Sequence, residues 1–88
     1  MPYVEKTFRA SIDPEIDLVL GKLRMFSWDE RVGLLNYVIT RLLLGLAPQR
    51  YHHFNALMGV LEACKHEFYR RLVGIYEDRK AEQNGDVY

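Results

Sequence analysis

Between residues 54 and 75 the apolar side chains are Phe54, Leu57, Met58, Leu61, Cys64, Phe68, Leu72 and Ile75, in steps of three, one, three, three, four, four and three. This is helical spacing rather than the alternation of a strand, and it predicts one long amphipathic helix over 54–81. Glu62, His66, Arg70 and Glu77 gather on the other side. Glu67 is within reach of Arg70 and Arg71, and Glu62 of Lys65, at the three- and four-residue separations that bring helical side chains together. Pro48 lies upstream, where it can start a helix but not sit inside one. Asn84-Gly85 downstream suits a left-handed stop. A helix of about 28 residues spans roughly 40 Å, long for so small a chain. Gly59 and Gly74 fall inside it. Close helix packing is the plain reason for a glycine there, and a ligand approaching the backbone the sharper one.

The rest of the chain reads as cover for this helix. Asp13-Pro14-Glu15 predicts a helix start, with Asp13 as N-cap and Pro14 in the first turn. Ile16, Leu20 and Leu23 form its stripe, Val19 lies beside them, and it ends near Arg24 or Met25. Residues 1–10 are then an N-terminal arm, with Tyr3, Val4 and Phe8 laid on the bundle or on a neighbouring subunit. Ser27 and Glu30 match a capping box and open a second helix over 28–44. Its apolar positions Val32, Leu35, Ile39, Leu42, Leu43 and Leu46 are widened by Leu34, Tyr37 and Val38, an arc that implies burial on more than one side. Gly45 and Pro48 end it. The short polar connection 47–53 predicts antiparallel packing of the second and third helices. Residues 82–88 are a C-terminal tail whose Val87 and Tyr88 suggest docking. The expected fold is all-α: one domain over 1–88, a three-helix antiparallel bundle with a long third helix, and oligomeric.

Composition narrows the function classes. With 49% apolar and 27% charged residues the chain is globular rather than disordered. At 88 residues it has room for one core only, and that core is marginal, which favours self-association. Each half, 1–44 and 45–88, carries six basic and six acidic residues, so the charge clustering of a general nucleic-acid binder is missing. The single cysteine, Cys64, forms no internal disulfide and fits a reducing, cytoplasmic compartment. No signal peptide is read at Met1-Pro2-Tyr3, and the longest unbroken apolar run, 42–47, is too short to span a bilayer. No membrane association is expected.

Candidate chemistry concentrates in two places. Arg50, Tyr51 and His53, beside His52, sit in the connection; Lys65, Tyr69, Arg70 and Arg71 lie along the long helix. Arginine supplies planar donors for phosphate and tyrosine a stacking surface, so these residues, brought together across an oligomer interface, suit a small anionic, nucleotide-like ligand. The competing reading makes the tyrosines boundary core and the arginines salt-bridge partners. Glu62 and His66 have ligand-like spacing, and Glu67, Glu77 and Asp78 add carboxylates. With neither a second histidine in the tract 65–71 nor an EExxE cluster, the expectation is no metal, no cofactor and no conventional catalytic machinery.

The pieces Gly59–Glu62 (GVLE), Glu67–Arg71 (EFYRR), Tyr76–Asp78 (YED), Lys80 and Asn84–Tyr88 (NGDVY), together with Leu35–Leu43, resemble an uncharacterised family of small proteins from phages, prophages and metagenomes. The resemblance covers roughly the last two thirds of the chain and implies a viral or mobile-element origin. It carries no catalytic residues. Small phage proteins of this kind act by binding a host protein or sequestering a nucleotide signal. The expectation is a non-enzymatic, homo-oligomeric helical protein that binds a host or phage protein or a small anion. A metal-dependent nucleotide pyrophosphohydrolase and a purely structural phage protein are the alternatives.

Overall fold

A computed structural model of the chain describes residues 4–86, and among these every regular element is helical. The chain divides into two compact units, one within Pro2–Pro48 and the other within Gln49–Tyr88. The expected contacts of Tyr3, Val87 and Tyr88 lie outside the described residues.

The first unit is a helical hairpin of α1 (Lys6–Leu23) and α2 (Trp28–Leu46). Helix α1 begins well ahead of the expected cap at Asp13. Its N-cap is Glu5, residues 6–10 of the expected arm are helical, and Pro14 lies in the interior. A proline there removes one backbone hydrogen bond and costs about 3 kcal/mol. The apolar series explains why the helix tolerates it. Phe8 and Ile12 continue the stripe of Ile16 and Leu20 upstream at four-residue steps, so a helix cut at Asp13 would leave them without a shared face. The turn between the helices forms as expected. Ser27 and Glu30 make a reciprocal capping box: Glu30 N–H donates to Ser27 Oγ, and Ser27 N–H and Oγ–H both donate to Glu30 Oε1, the latter at 2.7 Å. Those two donors hold the Glu30 carboxyl below its ordinary range. Arg31 fastens the turn from the other side. Its Nε donates to the Phe26 carbonyl at 2.8 Å and its Nη2 to the Arg24 carbonyl at 2.6 Å, satisfying acceptors that the end of α1 leaves open.

Helix α2 runs through Gly45 and stops at Ala47, which is extended (φ −69°, ψ 116°). The residue before a proline is driven out of the helical region, so Pro48 ends this helix and Gly45 does not.

In the second unit, α3 (Tyr51–Phe68), a π-helical turn (Tyr69–Val73) and α4 (Gly74–Asn84) form one continuous rod of about 51 Å. It starts at Tyr51, one turn before the expected Phe54, because Arg50 is extended and its carbonyl accepts from His53 N–H and Phe54 N–H. It runs past the expected end at Ala81, so residues 82–84 of the expected tail are helical, and it stops at Asn84, followed by Gly85 at φ 82°. The π turn is unexpected. Gly74 N–H donates to the Tyr69 carbonyl, a five-residue closure. The Tyr69 ring lies along the backbone of Gly74: a Cβ at that position stands 3.3 Å from Tyr69 O and 3.4 Å from Tyr69 Cε1. The chain's own tyrosine, rather than a neighbouring helix or a ligand, accounts for this glycine. At Gly59 nothing lies within 4 Å of the corresponding point.

The two glycines therefore respond differently to a methyl group. Gly59→Ala is expected to stabilise the protein by about 0.5–1 kcal/mol, the helical gain of alanine over glycine. Gly74→Ala is expected to show no such gain, because its methyl meets Tyr69. Thermal unfolding of both variants checks this, and equal gains would show that Tyr69 does not lie on Gly74.

Candidate functional site

None of the described residues is buried, although α1, α2 and the rod each carry an apolar stripe. An apolar concave surface lies on the hairpin. Along α2, Trp28, Val32, Leu35, Ile39, Leu42 and Leu46 recur in steps of four, three, four, three, four; along α1, Ile12, Ile16, Val19 and Leu23 recur in steps of four, three, four. Steps of three and four keep side chains on one face of a helix, so each helix carries a continuous apolar stripe. Parts of both series line a common groove of about 540 Å³, formed by Ile12, Ile16, Val19, Leu20 and Leu23 from α1 and by Leu35, Val38, Ile39 and Leu42 from α2, with Glu15 as the one charged residue. The groove is open: Ile39 is 37% exposed and Leu42 58%. The spacing marks these positions as apolar stripe and predicts their burial, in the bundle or at an interface; here they line an open groove.

On the rod, the residues expected to bind an anion fall into two groups. Arg50 is the N-cap of α3, and Tyr51 is its first residue and 81% exposed. His53 is half-buried, lies against His52 with ring centroids 3.9 Å apart and the rings tilted by 43°, and has no partner for Nδ1. Lys65, Tyr69, Arg70 and Arg71 lie farther along, and about 25 Å of helix separates His53 from Arg70, so one chain does not join the groups in a single pocket. Within the second group, Lys65 and Tyr69 share a hollow of about 400 Å³ with His66, Phe68 and Val73.

Each cation of the second group already faces a carboxylate. Arg70 holds Glu67 through two bonds, Nε to Oε1 at 3.2 Å and Nη2 to Oε2 at 3.1 Å, and Arg71 Nε donates to Glu67 Oε2 at 2.8 Å. Hydrogen bonds from Arg70 first, and then Arg71, hold the Glu67 carboxyl down to about 2. Lys65 Nζ lies 3.4 Å and His66 Nε2 3.3 Å from Glu62 Oε1. Tyr69 Oη donates to Glu77 Oε2 at 2.6 Å, and that bond, with the charge of Glu77 behind it, raises the phenol's pKa. Sequence spacing did not pair Tyr69 with Glu77. Eight residues of regular helix put them about 12 Å apart, and the tyrosine ring, laid over Gly74, bridges that gap. No three of the His, Cys, Asp and Glu side chains among the described residues are grouped to hold a metal ion. No helix among them is long and apolar enough to cross a membrane.

The chain matches the family described as a domain of unknown function (DUF6899) over residues 1–87, and it belongs to that family. Its resemblance to an uncharacterised family holds at that level. Comparison with curated proteins and with solved structures gave no match.

The Glu67 cluster has a defined pH signature. A carboxyl lowered from near 4.5 to about 2 contributes stability that is fully present above 4.5 and is lost as the pH falls through about 2. In a carbon-detected NMR titration Glu67 is expected to keep its charge well below the other glutamates. Arg70→Gln with Arg71→Gln is expected to return its midpoint toward 4.5. An unmoved midpoint in that double variant would show that the arginines are not the cause.

Proposed function

We propose that this chain is a non-enzymatic helical binding protein whose hairpin groove takes an amphipathic helix. One observation carries the reading. The groove is lined by the apolar stripes of two helices, is almost wholly apolar, and is open. A two-helix seam that needed no further partner would cover its own knobs. Open seams of this kind are completed by one or two more helices, as in three- and four-helix bundles. The rod's amphipathic stripe supplies a helix of matching chemistry. The assembled form is a three-helix antiparallel bundle with a long third helix, joined into a homo-oligomer. The protein then acts by binding a host or phage protein. The phage or mobile-element origin, and with it a place in the host cytoplasm, is supported by the sequence resemblance.

A small anionic ligand is the second reading, favoured by the hollow that Lys65, His66 and Tyr69 share. It has the narrower footing. Arg70 and Arg71 both direct donors to Glu67, so an anion there must displace a carboxylate at hydrogen-bond distance.

Ile39→Glu tests the groove. If a helix fills it, the variant buries an unpaired carboxylate and is expected to lose about 3 kcal/mol or more. If the groove faces water in the working protein, the same change costs no more than about 0.5 kcal/mol. Thermal or urea unfolding, with Thr40→Glu as the neighbouring control, reads the difference, and equal small effects at both positions would overturn the proposal.

A further inference from the structure

The rod's stripe and its π turn together identify a partner for the rod. From Phe54 the stripe runs through Leu57, Leu61, Cys64 and Phe68 in steps of three, four, three and four, the 3.5 period of a helix that packs along another helix. Continued without interruption, that series reaches Arg71 and then Ile75. The π turn over Tyr69–Val73 takes up one extra residue, which sets everything after it back by one position, about 100° of rotation. Leu72 and Tyr76 then occupy the places that a regular helix gives to Arg71 and Ile75. Arg71 is turned to Glu67 instead. The stripe therefore continues from Phe54 to Tyr76, and a correction of phase matters only to a partner that runs along the whole of it.

Two features point to a second copy as that partner. The stripe reads nearly the same from either end: Phe54 answers Tyr76, Leu57 answers Leu72, Leu61 answers Phe68, and Cys64 stands in the middle. A surface with that order complements itself under a two-fold axis perpendicular to the helix. The area suffices. Burying such a side chain removes about 60–120 Å² of apolar surface, so seven from each copy remove about 840–1,700 Å². Stable interfaces bury about 1,200–2,000 Å² in all.

We propose that two copies pair their rods antiparallel about a two-fold axis at Cys64. The pairing of the rods does not rest on the groove reading above.

Cys64 is the only cysteine and is exposed in the single chain, so the protein carries its own reporter. In an antiparallel pair the two Cys64 side chains meet at the axis, and oxidation with diamide is expected to convert the chain to a disulfide-linked species of twice the mass. In a Cys64→Ser background, Phe54→Cys is expected to give no such species, because antiparallel pairing holds the two positions about 30 Å apart. Light scattering on the untreated protein is expected to give the dimer mass. A solitary chain in solution, a dimer in which Cys64 stays reduced, or cross-linking at both positions, as parallel rods give, would each overturn the pairing. Since Ile39→Glu alone decides the groove reading, the two can fail separately.

Discussion

The governing constraint is hydrophobic closure. Each helix presents an apolar stripe, and burying one Leu, Ile, Val or Phe side chain contributes about 1.5–3 kcal/mol relative to leaving it in water. Neither the hairpin nor the rod buries a single described side chain. A small chain has little stability in reserve, and losing the contribution of a few such residues exceeds it. Local devices hold the elements in shape: the capping box, the Arg31 clasp, the Glu67 cluster and the Tyr69–Glu77 bond. These are exposed interactions, which water and salt screen. They select conformations that only the covering of the stripes makes stable.

Much of the fold was legible because it rests on short-range chemistry. Ser27 with Glu30 needs only a three-residue spacing, and the Asn84-Gly85 stop only a glycine free to take positive φ; both are where the sequence puts them. The misreadings came from punctuation that tertiary pattern overrides. Pro14 reads as a helix start, yet Phe8 and Ile12 extend the stripe beyond it and the helix runs through. Gly45 reads as a stop, yet Pro48 sets the boundary through its effect on Ala47. The π turn escaped because apolar spacings of three and four remain helical whether or not one residue is added. Only the glycine at 74, five residues after a tyrosine, hinted at it.

The candidate site was legible in chemistry more than in geometry. The pairing of Glu67 with Arg70 and Arg71, and of Glu62 with Lys65, follows from position along a helix and is as the spacing predicts. What a linear pattern does not carry is that Arg50, Tyr51 and His53 stand far along the rod from Arg70. Nor does it distinguish a stripe that is finished core from one that is an open groove, since both have the same period; the difference lies in what faces it.

The π turn bears on how the protein tolerates change. One residue more than a regular helix needs is stored between Tyr69 and Val73, and the rod's apolar stripe is aligned with that surplus in place. Losing a single codon there, at Arg70 for instance, would return the backbone to ordinary α-helical winding with Leu72 and Tyr76 still on the stripe. The same loss at Val60 or Ala63, in unbroken helix, would rotate one half of the face away from the other. Length variation among relatives is thus expected to collect at this turn.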